Sequence, residues 1–243
     1  MSDDLTHGLN DIPTWRVMLP NRPLTGLTLL VVEDSRFASE AVRLLCLRSG
    51  ARIRRADTVK AALRHLQTYR PGAVIVDMGL PDGDGAEVIA AIARTTPRVP
   101  VILGTSGDPD KREAAMAAGA DGFIVKPIES LAQFQQAILA ALPLEARPLG
   151  LRLLPDDVIV PDRAALRDDL AHVAEVLNAA DDTDAIDYIA RFLAGVARSA
   201  HDTVLEDAAT ALARDKAQGE ALALDLARIS GMVQDRLAAV QGS

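Results

Sequence analysis

Residues 73–85 read AVIVDMGLPDGDG, and this stretch decides the fold. Its apolar start predicts a buried strand, which delivers the carboxylate of Asp77 to a loop that turns through Pro81 and Gly83. Three further apolar segments, at 27–32, 101–104 and 122–125, also end in polar side chains. The residues that follow them are Glu33 with Asp34, Thr105, and Lys126.

The strands alternate with segments of helical periodicity, which predicts an α/β protein with a doubly wound, five-stranded parallel sheet. Strands are expected near 27–32, 51–56, 73–77, 100–104 and 122–125, and helices near 35–48, 58–69, 84–94, 108–118 and 128–142. The carboxyl ends of parallel strands meet at one edge of a sheet, so the polar residues should converge there. Converging carboxylates suit a hard cation such as Mg²⁺, and with a hydroxyl and an ammonium group they could receive a phosphoryl group.

From about Leu27 to about Leu142, the chain resembles the receiver domain of two-component response regulators. The resemblance implies a flavodoxin-like fold in which Asp77 is the phospho-acceptor. It also implies that Glu33 and Asp34 bind Mg²⁺ together with Asp77. A histidine kinase or a histidine phosphotransfer protein is the expected phosphodonor.

The same resemblance implies roles for four further positions. Lys126 would pair with the phosphoryl group and precede a cis proline, Phe123 would be the switch aromatic, and the Gly79 carbonyl would complete the metal ligands. Gly79 departs from the usual pattern, because it offers no side chain to orient or block an attacking water. Thr105 would be the switch hydroxyl, although Ser106 competes for that role because the following segment is short.

Length and charge divide the chain. Its 243 residues predict two domains, and the whole net charge of −8 arises in residues 151–243, which hold 9 basic and 17 acidic residues. A DNA-binding domain needs a basic face, so we expect no nucleic-acid partner. Without a secretory signal in residues 1–10 or an apolar run of transmembrane length, a cytoplasmic protein without membrane contact is expected.

Two segments fall outside the predicted domains. Residues 1–26 are predicted to be an extended N-terminal arm that Trp15 could anchor to a surface. Residues 143–161 are predicted to be a linker. Its apolar runs at 151–154 and 158–160 could form a small hairpin, or they could pack between the domains.

Residues 162–241 have the pattern of four amphipathic helices joined by short loops, which predicts an antiparallel, all-α four-helix bundle. Apolar residues three and four apart place one stripe on each helix. The stripes are Leu166, Leu170, Val173 and Leu177; Ile186, Ile189, Leu193 and Val196; Val204, Leu205, Ala208 and Leu212; and Leu222, Leu226, Ile229, Val233, Leu237 and Val240.

The second of these helices contains ARFLAGVA at 190–197, which is similar to the histidine phosphotransfer (HPt) signature Ala-His-x-Leu-Lys-Gly. Gly195 matches the glycine of the signature, but Arg191 occupies the position of the phospho-accepting histidine, and Ala194 occupies that of the lysine. A guanidinium stays protonated and cannot replace a neutral imidazole as a nucleophile. The resemblance therefore implies an HPt-like domain that binds partners without catalysis. An unrelated bundle with a solvated Arg191 is the alternative.

His201 supports a second interpretation, since SAHDTVL at 199–205 resembles the phospho-acceptor box of one histidine kinase class. Its position near a predicted helix end favours a surface or capping role. We therefore expect a non-enzymatic response regulator whose helical domain modulates a phosphorelay through protein contacts, possible partners including another response regulator. The alternatives are an active relay intermediate that uses His201, and a scaffold or homodimer gated by phosphorylation.

Overall fold

The computed structural model of the chain describes residues 22–147, 154–179, 183–219 and 222–241. The strands are β1 (Thr28–Val32), β2 (Arg52–Ala56), β3 (Ala73–Asp77), β4 (Gly79–Leu80), β5 (Gly83–Asp84), β6 (Val101–Ser106) and β7 (Gly122–Val125). The helices are α1 (Arg36–Ser49), α2 (Val59–Thr68), α3 (Gly85–Ala93), α4 (Lys111–Ala117), α5 (Leu131–Ala141), α6 (Arg163–Ala179), α7 (Thr183–Ser199), α8 (Thr203–Ala217) and α9 (Ala223–Gln241).

Five strands form a parallel sheet in the order β2-β1-β3-β6-β7, which confirms the predicted doubly wound fold. Successive residues of a strand point to opposite faces, so the central strands are buried on both sides. Leu29 and Val31 of β1 pack in a core with α1 and α5, while Leu30 and Val32 pack in a second core with α2, α3 and α4.

β6, α4 and α5 differ from their predicted bounds, and α5 begins at residue 131, after its N-cap Ser130, rather than near 128. β6 continues past residue 104, because Thr105 and Ser106 pair with Ile124 and Val125 of β7. α4 begins at residue 111 rather than near 108. The side chain of Asp108 accepts a hydrogen bond from the amide of Asp110 (2.9 Å) and so stabilises a turn in place of the first helical turn.

The segments that flank the receiver-like region pack against it. Leu24 is buried in the core beside α1, so this packing begins before residue 27. In the linker, Ile159 enters the same core and its amide donates to the Glu129 carbonyl (2.9 Å). Ile159 therefore packs against the domain, whereas Leu154, Val158 and Val160 of the linker are exposed. The predicted hairpin requires residues 151–153, which lie outside the described residues, as do Trp15 and the arm up to residue 21.

Helices α6 to α9 form the predicted bundle, in which α6 and α8 each contact both α7 and α9. The predicted stripes supply its core, including Leu170, Ile189, Leu212 and Ile229. The assignment of Val204 to the apolar stripe of α8 is wrong, because 57% of its surface is exposed. It precedes Leu205, Ala208 and Leu212, which form the buried stripe of α8, and lies beside that stripe. The side chain of Val240 lies outside the described set.

Within the part of the chain that the structure describes, no helix is both long and apolar enough to cross a membrane.

Candidate functional site

Three carboxylates meet at the carboxyl edge of the sheet. Glu33 and Asp34 follow β1, Asp77 ends β3, and one oxygen of each side chain lies within 4.8 Å of the other two. Lys126, which follows β7, places its Nζ 2.7 Å from Glu33 Oε2 and 2.8 Å from Asp77 Oδ2. The structure therefore brings these four predicted site residues together. The cluster formed by Glu33, Asp34, Asp77 and Lys126 is called the acidic site below.

Backbone contacts hold Asp77 in place. Asp77 pairs with Thr105 in the sheet register, and the amide of Met78 donates to the Thr105 carbonyl (2.9 Å). The amide of Gly79 donates to Asp77 Oδ1 (3.3 Å). Gly85, the first residue of α3, lies so close that a Cβ there would overlap the carbonyl oxygen of Asp77. The loop after β3 is thus folded tightly against the end of that strand.

Burial controls the charges of the acidic site. Burial, followed by the charge of Asp77, raises the pKa of Asp34 to about 6. Burial also raises the pKa of Glu33, although the ammonium of Lys126 opposes this shift. Burial lowers the pKa of Lys126, but the negative charges of Asp77 and Glu33 have the larger opposite effect, so the pKa of Lys126 is raised overall. The ammonium is therefore retained, and the acids repel one another.

The donor set fits the Mg²⁺ ion that receiver domains bind in their active sites. Mg²⁺ prefers oxygen ligands and is usually held by carboxylates together with waters. Three ionised carboxylates and one ammonium carry two net negative charges, which a divalent cation would neutralise. Gly79 lies in the same loop, two residues after Asp77.

The predicted switch residues are placed beside this site. The Thr105 hydroxyl is buried and donates to the Ile124 carbonyl (2.9 Å). Ser106, the competing hydroxyl, accepts from the amide of Asp108 (3.1 Å). The ring of Phe123 is buried, and the guanidinium carbon of Arg112 lies 5.2 Å from its centroid. The peptide between Lys126 and Pro127 is cis, as expected.

The family model of the response regulator receiver domain matches residues 29–139. These residues form a response regulator receiver domain. All four members of the acidic site lie inside the match, as do Thr105 and Phe123. The bundle lies outside it, so the HPt-like interpretation rests on the sequence motif alone.

Two curated relatives each match less than half of this chain. The KDP operon transcriptional regulatory protein KdpE of Escherichia coli is 31% identical over 113 residues, which cover 46% of this chain and 50% of KdpE. The transcriptional regulatory protein AfsQ1 of Streptomyces coelicolor is 34% identical over 103 residues, covering 42% of this chain and 45% of AfsQ1. The chain thus spans about half the length of the curated relatives it matches.

This chain is also similar to a solved structure, the receiver domain of the sensor histidine kinase PA1611 from Pseudomonas aeruginosa, which has a magnesium ion coordinated in its active-site cleft. It is 24% identical, covers 46% of this chain and 93% of its own, and superposes with a TM-score of 0.42.

The candidate residues of the bundle lie on its surface. Arg191 is exposed, and its guanidinium pairs with Asp187 on the same helix (2.6 Å). Gly195 is half-buried, with room for a Cβ. His201 lies in the turn between α7 and α8, and its Nε2 is 2.8 Å from Glu129 Oε1 of the receiver. Its position in a turn agrees with the surface role expected from its place near a helix end.

The bundle also contacts the receiver through two residues that sequence reasoning missed. Asp169 of α6 accepts hydrogen bonds from Ser35 Oγ (2.7 Å) and from the amides of Arg36 (2.8 Å) and Phe37 (3.0 Å). The hydroxyl of Tyr188 on α7 donates to Asp34 Oδ2 (3.0 Å). One signal was available for Asp169: it lies next to Leu170 on the buried side of its helix, where a carboxylate needs a partner.

Proposed function

We propose that this protein is a response regulator in which Asp77 accepts a phosphoryl group from the phosphohistidine of a histidine kinase or a histidine phosphotransfer protein. The observation that carries the proposal is the acidic site at the sheet edge of a receiver domain. An oxygen of the Asp77 carboxylate would attack phosphorus as the nitrogen–phosphorus bond breaks, and the leaving imidazole would take a proton.

Each residue of the site has a defined task in this transfer. Lys126 would hold the phosphoryl oxygens, since its ammonium already contacts Asp77. Glu33, Asp34, Asp77 and the Gly79 carbonyl would bind Mg²⁺, whose charge would neutralise the phosphoryl oxygens. Backbone contacts fix Asp77 before the donor arrives, so little reorganisation is needed.

The phosphoryl group would act as a switch, and the protein would not be an enzyme with a separate substrate. Thr105 would exchange its hydrogen bond to the Ile124 carbonyl for one to a phosphoryl oxygen. Phe123 packs against Gly104, so this movement would reach the Phe123 ring and alter the surface formed with Arg112.

We further propose that the bundle modulates a phosphorelay by binding protein, without accepting phosphate itself. The exposed Arg191 cannot act as a nucleophile, and the acidic charge of this region disfavours nucleic acid. The bundle would compete for a kinase, a phosphotransfer protein or another receiver. Phosphate on His201 would instead support the relay interpretation, and self-association controlled by Asp77 would support the scaffold.

Labelling with phosphoramidate, a small phosphodonor, tests the proposal on the full chain. In Mg²⁺, the wild type should become phosphorylated, and Asp77→Asn or chelation of the metal should abolish incorporation. The matched control is Asp57→Asn, an exposed aspartate whose side chain accepts from Thr58, which should label normally. Full labelling of Asp77→Asn would contradict the proposal.

A further inference from the structure

Helix α7 lies across the edge of the sheet that carries the acidic site. Its Tyr188 contacts Asp34 in the loop after β1, and the guanidinium of Arg198 packs directly over Gly107 in the loop after β6. In the sheet order, β3 lies between β1 and β6. A helix whose side chains reach the loops on both sides of β3 runs close to the end of that strand, where Asp77 lies.

The turn after α7 contacts a third loop, because His201 lies against Glu129 after β7. From Tyr188 to Arg198 an α-helix rises about 15 Å, which is enough to span the strands between these loops. Asp77 and Lys126 are buried, with 8% and 9% of their surfaces exposed. The bundle thus lies beside the loops that surround a buried Asp77.

Asp169 fastens the neighbouring helix α6 to the receiver. The first amides of an α-helix have no acceptor within that helix, and a carboxylate beside them is favourable. Asp169 supplies this acceptor to Arg36 and Phe37 at the start of α1, and it is only 2% exposed. Leaving a buried carboxylate without such partners costs free energy. The contact therefore favours the arrangement in which α6 is docked on the start of α1.

We propose that α6 and α7 form an intramolecular cover over Asp77, held closed by Asp169 and Tyr188. This inference rests on the proposed role of Asp77 as phospho-acceptor. A phosphodonor needs the space that α7 occupies, so donor access and bundle docking exclude each other. Because coupling is reciprocal, docking must weaken donor binding by the same factor by which donor binding weakens docking, and a variant that docks less well should admit the donor more readily.

The test combines two measurements on the full-length double variant Asp169→Ala/Tyr188→Phe. Hydrogen–deuterium exchange at the amides of Arg36 and Phe37 reports whether the Asp169 carboxylate is their acceptor in solution, and so whether α6 is docked in the wild type. The rate of labelling by phosphoramidate reports access to Asp77. We expect faster exchange at both amides and labelling at least about tenfold faster than in the wild type.

The matched control is Asp168→Ala/Tyr69→Phe. Asp168 is the adjacent, more exposed carboxylate, which pairs with Arg36 at the rim (3.1 Å), and Tyr69 is the other tyrosine of the chain. Because an exposed ion pair contributes little, this variant should exchange and label like the wild type.

Unchanged amide exchange in the test variant would overturn the docked arrangement. The proposed cover would be overturned if the test variant exchanged its amides faster but was labelled at the wild-type rate. It would also be overturned if the control variant showed the same changes as the test variant. If no protein in the series became labelled, the proposed function itself would fail and the cover with it. That outcome is distinct from equal labelling of all proteins, which refutes the cover alone.

Discussion

At the scale of single residues, Asp34 links the acidic site to the bundle. Its carboxylate belongs to the acidic site and also accepts a hydrogen bond from the hydroxyl of Tyr188. Burial and the nearby Asp77 raise its pKa to about 6 from the usual 3.8. At pH values between 3.8 and about 6, Asp34 is protonated in the folded protein but ionised in the unfolded chain. This group therefore lowers the free energy of unfolding as the pH rises through that window.

Mg²⁺ binding should depend on pH for the same reason. Below about pH 6 the metal must displace a proton from Asp34, and Glu33, whose pKa is also raised, adds to the effect. We predict that Mg²⁺ affinity is at least about tenfold weaker at pH 5 than at pH 7, as measured by isothermal titration calorimetry. Asp108→Asn, which changes an exposed acid after β6, should show the same dependence. Equal affinities at the two pH values would refute this account of the acidic site.

At the scale of elements, the tight packing of α3 on β3 positions Asp77. We predict that Gly85→Ala lowers the free energy of unfolding by about 1–3 kcal/mol, because its Cβ would meet the Asp77 backbone, which cannot move aside cheaply. It should also slow phosphorylation by displacing the acceptor. Urea unfolding and phosphoramidate labelling measure the two effects.

Gly79→Ala is the matched control, because a Cβ there meets nothing within 4 Å. It lies in the same loop and should leave stability nearly unchanged. Equal destabilisation by the two substitutions would show that the close approach at Gly85 does not position the strand.

Elements with a strong apolar pattern were predictable from the sequence. β3 and β7 have the predicted bounds, since continuous apolar runs between turn residues leave few alternatives. The ends of β6 and α4 were misplaced, because side-chain hydrogen bonds and pairing with β7 decide them. Val204 was misassigned because a residue beside the stripe satisfies the same spacing in sequence.

At the scale of the whole molecule, the sequence located the acidic site but not the contacts between the bundle and the receiver. Strand ends in a parallel sheet converge by topology, so Glu33, Asp77 and Lys126 could be grouped without coordinates. The contact between Ser35 and Asp169 joins residues 134 positions apart, and a single sequence carries no pattern for such a pairing. The HPt resemblance directed attention to Arg191 and Gly195, whereas Tyr188 on the same helix contacts the site.

We propose that Asp77 alone accepts phosphate and that the bundle does not. The most direct measurement is to label the full chain with phosphoramidate in Mg²⁺ and to map the phosphoryl group by mass spectrometry under conditions that preserve both acyl phosphate and phosphohistidine. We predict phosphate on the peptide that contains Asp77 and none on α6 to α9. Phosphate on His201, or on any other residue of the bundle, would contradict the account.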